Sequence, residues 1–209
     1  PLYLNINSMC KYKGEVHMKT KLKTKDFIYA GAFGAIYLIL MMVLVSSTGM
    51  IPVLYILSPF FVGCVCATVY MLYVTKIKKF GAILILGLLF GIVTSTSSFI
   101  SLVWALLCGL LAELIARAGK YSSKKMFLLS YPVFNLTMIG PFLMLFYAKK
   151  QFITLCKQFY GADYAQMVDK LTPSWIIFAL AGLALAGGAI GSLLASKFAK
   201  KHFEKSGII

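Results

Sequence analysis

Only a handful of side chains inside the long apolar runs of this 209-residue chain carry chemistry. Glu113 is the one carboxylate set within such a run, and Arg117 follows four residues on, a spacing that places both on one helix face. Such a pair serves either as an interfacial ion pair with Arg117 reaching towards water, or as a contact that docks or gates a partner. Asn135 stands in another apolar run, where a bare carboxamide is costly and calls for a partner from a neighbouring helix or a ligand. Hydroxyls gather at Ser47, Thr48 and Thr94-Ser95-Thr96-Ser97-Ser98; Phe99, Trp104, Thr137, Tyr147 and Trp175 add aromatic faces and another hydroxyl. Together these suit a small molecule, neutral or weakly charged, although Tyr147 and Trp175 equally suit an aromatic belt at a membrane surface. Lys149 and Lys150 at the rim either attract an anion or stay solvated.

No catalytic set can be composed from the chain. His17 and His202 lie in the tails, no Ser/His or Asp/Asp pair falls within the apolar runs, and no Gly-rich loop precedes a Lys-Ser/Thr. Glu-x-x-x-Arg also occurs in intramembrane CAAX-type proteases, but Ala112 stands where their first Glu would be, and no histidine lies on another run. Of the five cysteines, Cys64 and Cys66 share an apolar run yet point to different helix faces, and none has metal-ligand spacing. The chain is therefore expected to be no enzyme, with no cofactor and no metal.

The elements that hold these residues follow from composition. Hydrophobic residues make up 60% of the chain and charged ones 13%, where a soluble domain needs roughly a quarter charged. An all-α membrane protein of six transmembrane helices is expected. The spans run from Phe27 to Val45, from Ile51 to Val74 with a kink at Pro59, over about 80–93 and 99–118, from Met126 to Ala148, and from Thr172-Pro173-Ser174-Trp175 to near Phe198. No charge appears from Phe80 to Ala112, and the hydroxyl run splits that stretch into the third and fourth spans. Between spans five and six, Lys149–Leu171 repeats apolar residues at helical spacing, which predicts one or two short interfacial helices.

The net charge of +15 is patterned for a bilayer and not for nucleic acid, because the basic residues cluster between apolar runs. Six spans with both termini cytoplasmic put 17 of the 21 basic residues inside, leaving Lys149, Lys150, Lys157 and Lys170 outside. A multi-pass bacterial plasma-membrane protein is expected. The chain opens at Pro1, and codons for Gly14-Glu15-Val16 can contain a purine-rich ribosome-binding sequence just before Met18. Residues 1–17 are thus expected to be a translated leader, with 18–209 forming a single integral membrane domain.

Span one carries Ala30-Gly31-Ala32-Phe33-Gly34-Ala35, in which Ala30/Gly34 and Gly31/Ala35 make a smooth face for close helix approach. It either packs against the similarly small face of span six, around Gly187-Gly188, or docks a separate membrane subunit. Taken with Lys23-Thr24-Lys25-Asp26, the stretch Gly109 to Arg117 followed by Gly119-Lys120-Tyr121, and the basic tail, the chain resembles a substrate-binding (S) component of an energy-coupling factor (ECF) transporter, within the Trep_Strep group. The family pattern in span one is Ala-x-x-x-Ala, whereas each pair here contains a Gly. The resemblance implies capture of a vitamin-like micronutrient through outer loops and spans four to six. It also implies a transmembrane coupling subunit and two ATPase subunits as partners, with Ala30, Gly31, Gly34 and Ala35 as the docking surface.

Overall fold

The computed structural model describes residues 22–203, with side chains through Phe198; the expected leader and the side chains of the basic tail beyond Lys197 lie outside those described. Every regular element among the described residues is helical. Helix α1 (Thr24–Gly49) starts at an N-terminus where Asp26 accepts the Lys23 N–H and pairs with Lys79. Helix α2 (Pro52–Lys76) opens on Pro52 and contains Pro59. The hydroxyl run does interrupt the uncharged stretch: α3 (Ala82–Thr94) ends on it, and α4 (Phe99–Ala118) begins with Ser98 accepting the Ile100 N–H.

The fifth apolar run is not one regular helix. Helix α5 (Lys124–Asn135) passes into an eight-residue 3-10 segment (Leu136–Leu143) and then one α turn, α6 (Met144–Tyr147). Pro132 and Pro141 remove backbone donors on either side of the change, which breaks the α ladder and leaves the tighter winding. Two short amphipathic helices follow, as the spacing predicts: α7 (Lys149–Tyr160) and α8 (Ala162–Leu171), hinged at Gly161 with φ +94°. Helix α9 (Ile176–Phe203) closes the fold.

Among the described residues, five segments are long and apolar enough to cross a membrane: Thr24–Gly49, Pro52–Lys76, Phe99–Ala118, Lys124–Tyr147 and Ile176–Phe198. Helix α3, with 13 residues, is apolar but shorter, about 20 Å against a hydrocarbon core of ~30 Å. Two cores hold the bundle. One joins α1 to α5 around Tyr37, Tyr70, Phe90, Tyr131 and Phe134; the other joins α7 and α8 to Phe142, Leu145, Ile176 and Leu180.

The small face of α9 meets α2, not α1, so the alternative pairing of spans one and six is not observed. A Cβ on Gly187 would collide with the Phe60 carbonyl, one on Gly191 with the Gly63 carbonyl, and one on Gly188 would lie 2.6 Å from the Pro132 Cα. Only glycine permits so close an approach.

Candidate functional site

At the end of the bundle that carries the basic clusters, Glu113 is fully buried. Its carboxylate accepts the Leu84 N–H at 3.1 Å and the Tyr121 hydroxyl at 2.7 Å. Gly81, the residue that precedes α3, has no side chain to cap that helix, and Glu113 from α4 does so instead. Burial, and then the Glu113 carboxylate, push the Tyr121 phenol above its ordinary pKa, so it remains a donor. Lys120 and Tyr121 sit at φ 52° and 50°, a left-handed pair that this bond helps to hold. The expected Glu113–Arg117 ion pair does not form: Arg117 lies over the Phe80 ring at 5.2 Å, on the exposed surface. The helix end and a phenol offer the carboxylate nearer partners than a guanidinium that reaches water by snorkelling.

The small-residue face of α1 is divided. Ala30 and Gly34 turn inward, and a Cβ on Gly34 would meet Leu89 of α3 at 2.7 Å. Gly31 and Ala35 turn outward, and nothing lies within 4 Å of a Cβ built on Gly31. Helix α1 packs on α2 and α3, which leaves that outward pair on a free flank among the described residues.

At the opposite end the hairpin of α7 and α8 covers the bundle. Tyr55 of α2 packs against Phe142 at 4.9 Å and Phe152 at 6.5 Å, and the Tyr164 hydroxyl donates to the Gly49 carbonyl at 2.7 Å. Beneath lies Asn135, fully buried, whose Nδ2 donates to the Pro59 carbonyl of α2 at 3.0 Å and the Ala184 carbonyl of α9 at 2.8 Å. Its Oδ1 finds no partner among the described residues. Asn135 therefore joins three helices and still presents an acceptor. Trp104 of α4 donates its indole N–H to the Leu136 carbonyl at 2.8 Å, and Thr137 is buried one residue further on.

The remaining predicted residues are placed differently. Ser98 and Tyr147 share a hydrogen bond near the start of α4. Thr48 spends its hydroxyl on the Leu44 carbonyl of its own helix, and Ser97 is exposed. Phe99 and Trp175, 71% and 62% exposed, turn away from the protein as belt residues do. Lys149 is not a free cation, since it pairs with Asp169 at 2.7 Å and donates to the Thr172 carbonyl. A cavity of about 150 Å³ lies beside it, between Leu145 and Ile177, and none of the predicted substrate residues lines it. Two buried serines without a hydrogen-bond partner among the described residues escaped the sequence reading, Ser58 beside Pro59 and Ser101 against Gly140. Their signal was the same as that of Asn135, a polar residue in an apolar run, but serine commonly bonds its own helix and so draws less notice. No group of three or more metal-ligating side chains occurs among the described residues.

Residues 24–205 match the family model described as hypothetical bacterial integral membrane protein (Trep_Strep). No curated protein and no solved structure matches the chain.

Proposed function

The chain belongs to the Trep_Strep family of bacterial integral membrane proteins, and on that premise we propose that it is the substrate-capture subunit of an ECF-type importer. In this reading the short α3 is a sixth span, both termini are cytoplasmic, and the hairpin of α7 and α8 faces outward. A small micronutrient enters beneath the hairpin and is passed on through a membrane coupling subunit. ATP is hydrolysed by two partner ATPases and not by this chain.

The observation that carries the reading is the divided face of α1. Ala30 and Gly34 lock the helix to its own bundle, while Gly31 and Ala35 leave a smooth outward strip on which another helix can lie closely. The scarcity of ionisable groups within the apolar helices, where Glu113 is the one buried carboxylate among the described residues, is also consistent with a solute bound without ion coupling.

Co-purification with a coupling subunit and ATPases tests the assignment. The variant of choice is Gly31→Leu with Ala35→Leu, because a larger residue at Gly34 would strike Leu89 and disturb the fold itself. The double variant is expected to fold and lose its partners. Undiminished assembly overturns the docking assignment, and solute uptake by vesicles containing this chain alone, driven by an ion gradient, would favour a stand-alone transporter or channel.

A further inference from the structure

We propose, building on the capture reading above, that the seam between α2, α4 and the 3-10 segment binds a small uncharged molecule presenting an N–H or O–H donor to the Asn135 Oδ1. Four buried side chains of this seam hold oxygens with no partner among the described residues: Ser58 Oγ, Ser101 Oγ, Asn135 Oδ1 and Thr137 Oγ1. They are neighbours through the backbone and through contact. Thr137 of the segment lies two residues beyond Asn135 at the end of α5, Ser101 faces Gly140 of the same segment, and Ser58 precedes the residue whose carbonyl receives Asn135.

The other buried serine and threonine hydroxyls behave otherwise, although the Tyr37 phenol is also buried without a partner among the described residues. Thr94 and Thr172 each return the hydroxyl to the carbonyl four residues back, as the less buried Thr48, Thr75 and Thr154 also do, and Ser130 and Ser192 return it to the one three back. That local bond is the easy solution in an apolar helix, and Ser58, Ser101 and Thr137 forgo it. A buried polar group left unpaired is costly, and a ligand that pairs it recovers the cost.

The class of ligand follows from what the seam lacks and what it has already committed. Both Asn135 amide hydrogens are engaged by carbonyls, so turning the amide over would set oxygen against two oxygens. Its free atom is thus an acceptor, and the ligand must bring the donor. The three hydroxyls can give or take, which suits an amide-like edge carrying a donor beside an acceptor. Trp104 has committed its N–H to Leu136 and offers only a ring face. No charged side chain occurs on the 3-10 segment or on α4 before Glu113, and Lys149 is already paired with Asp169, so a charged ligand would find no counter-charge.

Thermal-shift screening of the purified protein against a fragment library tests this, with fragments sorted as neutral with a donor, neutral without one, anionic and cationic. Neutral donor-bearing fragments are expected to stabilise the protein. Thr137→Val and Ser101→Ala are expected to weaken them about tenfold, while their ligand-free forms melt no lower than the parent, since each removes an unpaired hydroxyl. Stabilisation by charged fragments instead, or by no neutral donor-bearing fragment, overturns the ligand class. Unchanged affinity in both variants, or ligand-free melting several degrees lower, overturns the seam as the site. These results are independent of partner assembly, so failure here and failure of the capture reading remain distinguishable.

Discussion

The Glu113 carboxylate has two donors and, among the described residues, no counter-cation, which makes it a helix cap delivered from a different helix. Glu113→Ala removes the acceptor of both the Leu84 N–H and the Tyr121 hydroxyl, and it should cost about 3 kcal/mol, read as a lower melting temperature of the purified protein. Tyr121→Phe should cost about 1–2 kcal/mol, whereas Arg117→Ala should stay within about 0.5 kcal/mol. An Arg117 variant as damaging as the Glu113 one would restore the ion-pair reading. The importance of Glu113 was legible in the sequence, because a carboxylate in an apolar run is rare. Its partner was not. Spacing along a helix reveals contacts three and four residues away, and Leu84 lies 29 residues distant. Asn135 is a parallel case: its need for partners was legible and two were found, but which helices supply them required the fold.

Among the elements, α2 and α9 come closest, through glycines that admit no side chain. Gly191→Leu should destabilise by about 1–3 kcal/mol or more, as overpacking does, because its Cβ would overlap the Gly63 carbonyl. Gly182→Ala on the same helix meets nothing within 4 Å and should be neutral or stabilising by up to about 1 kcal/mol. Thermal melts of the pair check both; equal effects would mean that α9 does not seat on α2 as described. The small residues of both runs were evident beforehand, but not their mates, because Ala30-Gly31 and Gly187-Gly188 look equally smooth. The 3-10 segment was likewise hidden. Hydropathy does not register how a backbone winds, and only Pro132 and Pro141 hint at the change.

For the whole molecule, the distribution of charge is the main topological signal. Lys23, Lys25, Lys76, Lys78, Arg117, Lys120, Lys124, Lys125 and Lys197 are all exposed, while Asp26 is paired with Lys79 and Glu113 is buried. Under the proposed orientation, Thr96→Cys should be labelled by a membrane-impermeant maleimide in intact cells, and Lys78→Cys only after permeabilisation; the reverse would invert the topology. The helical bundle and the hairpin were legible because periodicity and breakers act locally, but how the helices surround Asn135 is a property of the assembled bundle. One tie spans both ends of the proposed mechanism. Tyr164 is fastened to Gly49, the last residue of α1, so the cover over the solute and the helix offered to a partner are joined by a direct hydrogen bond. Burial first, with smaller contributions from Cys156 and Tyr160, pushes its phenol up to about 12, so the fastening persists across the neutral range. Thermodynamic reciprocity then requires that any factor by which the partner loosens the cargo equals the factor by which cargo loosens the partner. Tyr164→Phe should bring that factor towards one in titrations with and without cargo, leaving a subunit that still loads and still assembles but no longer reports one event to the other.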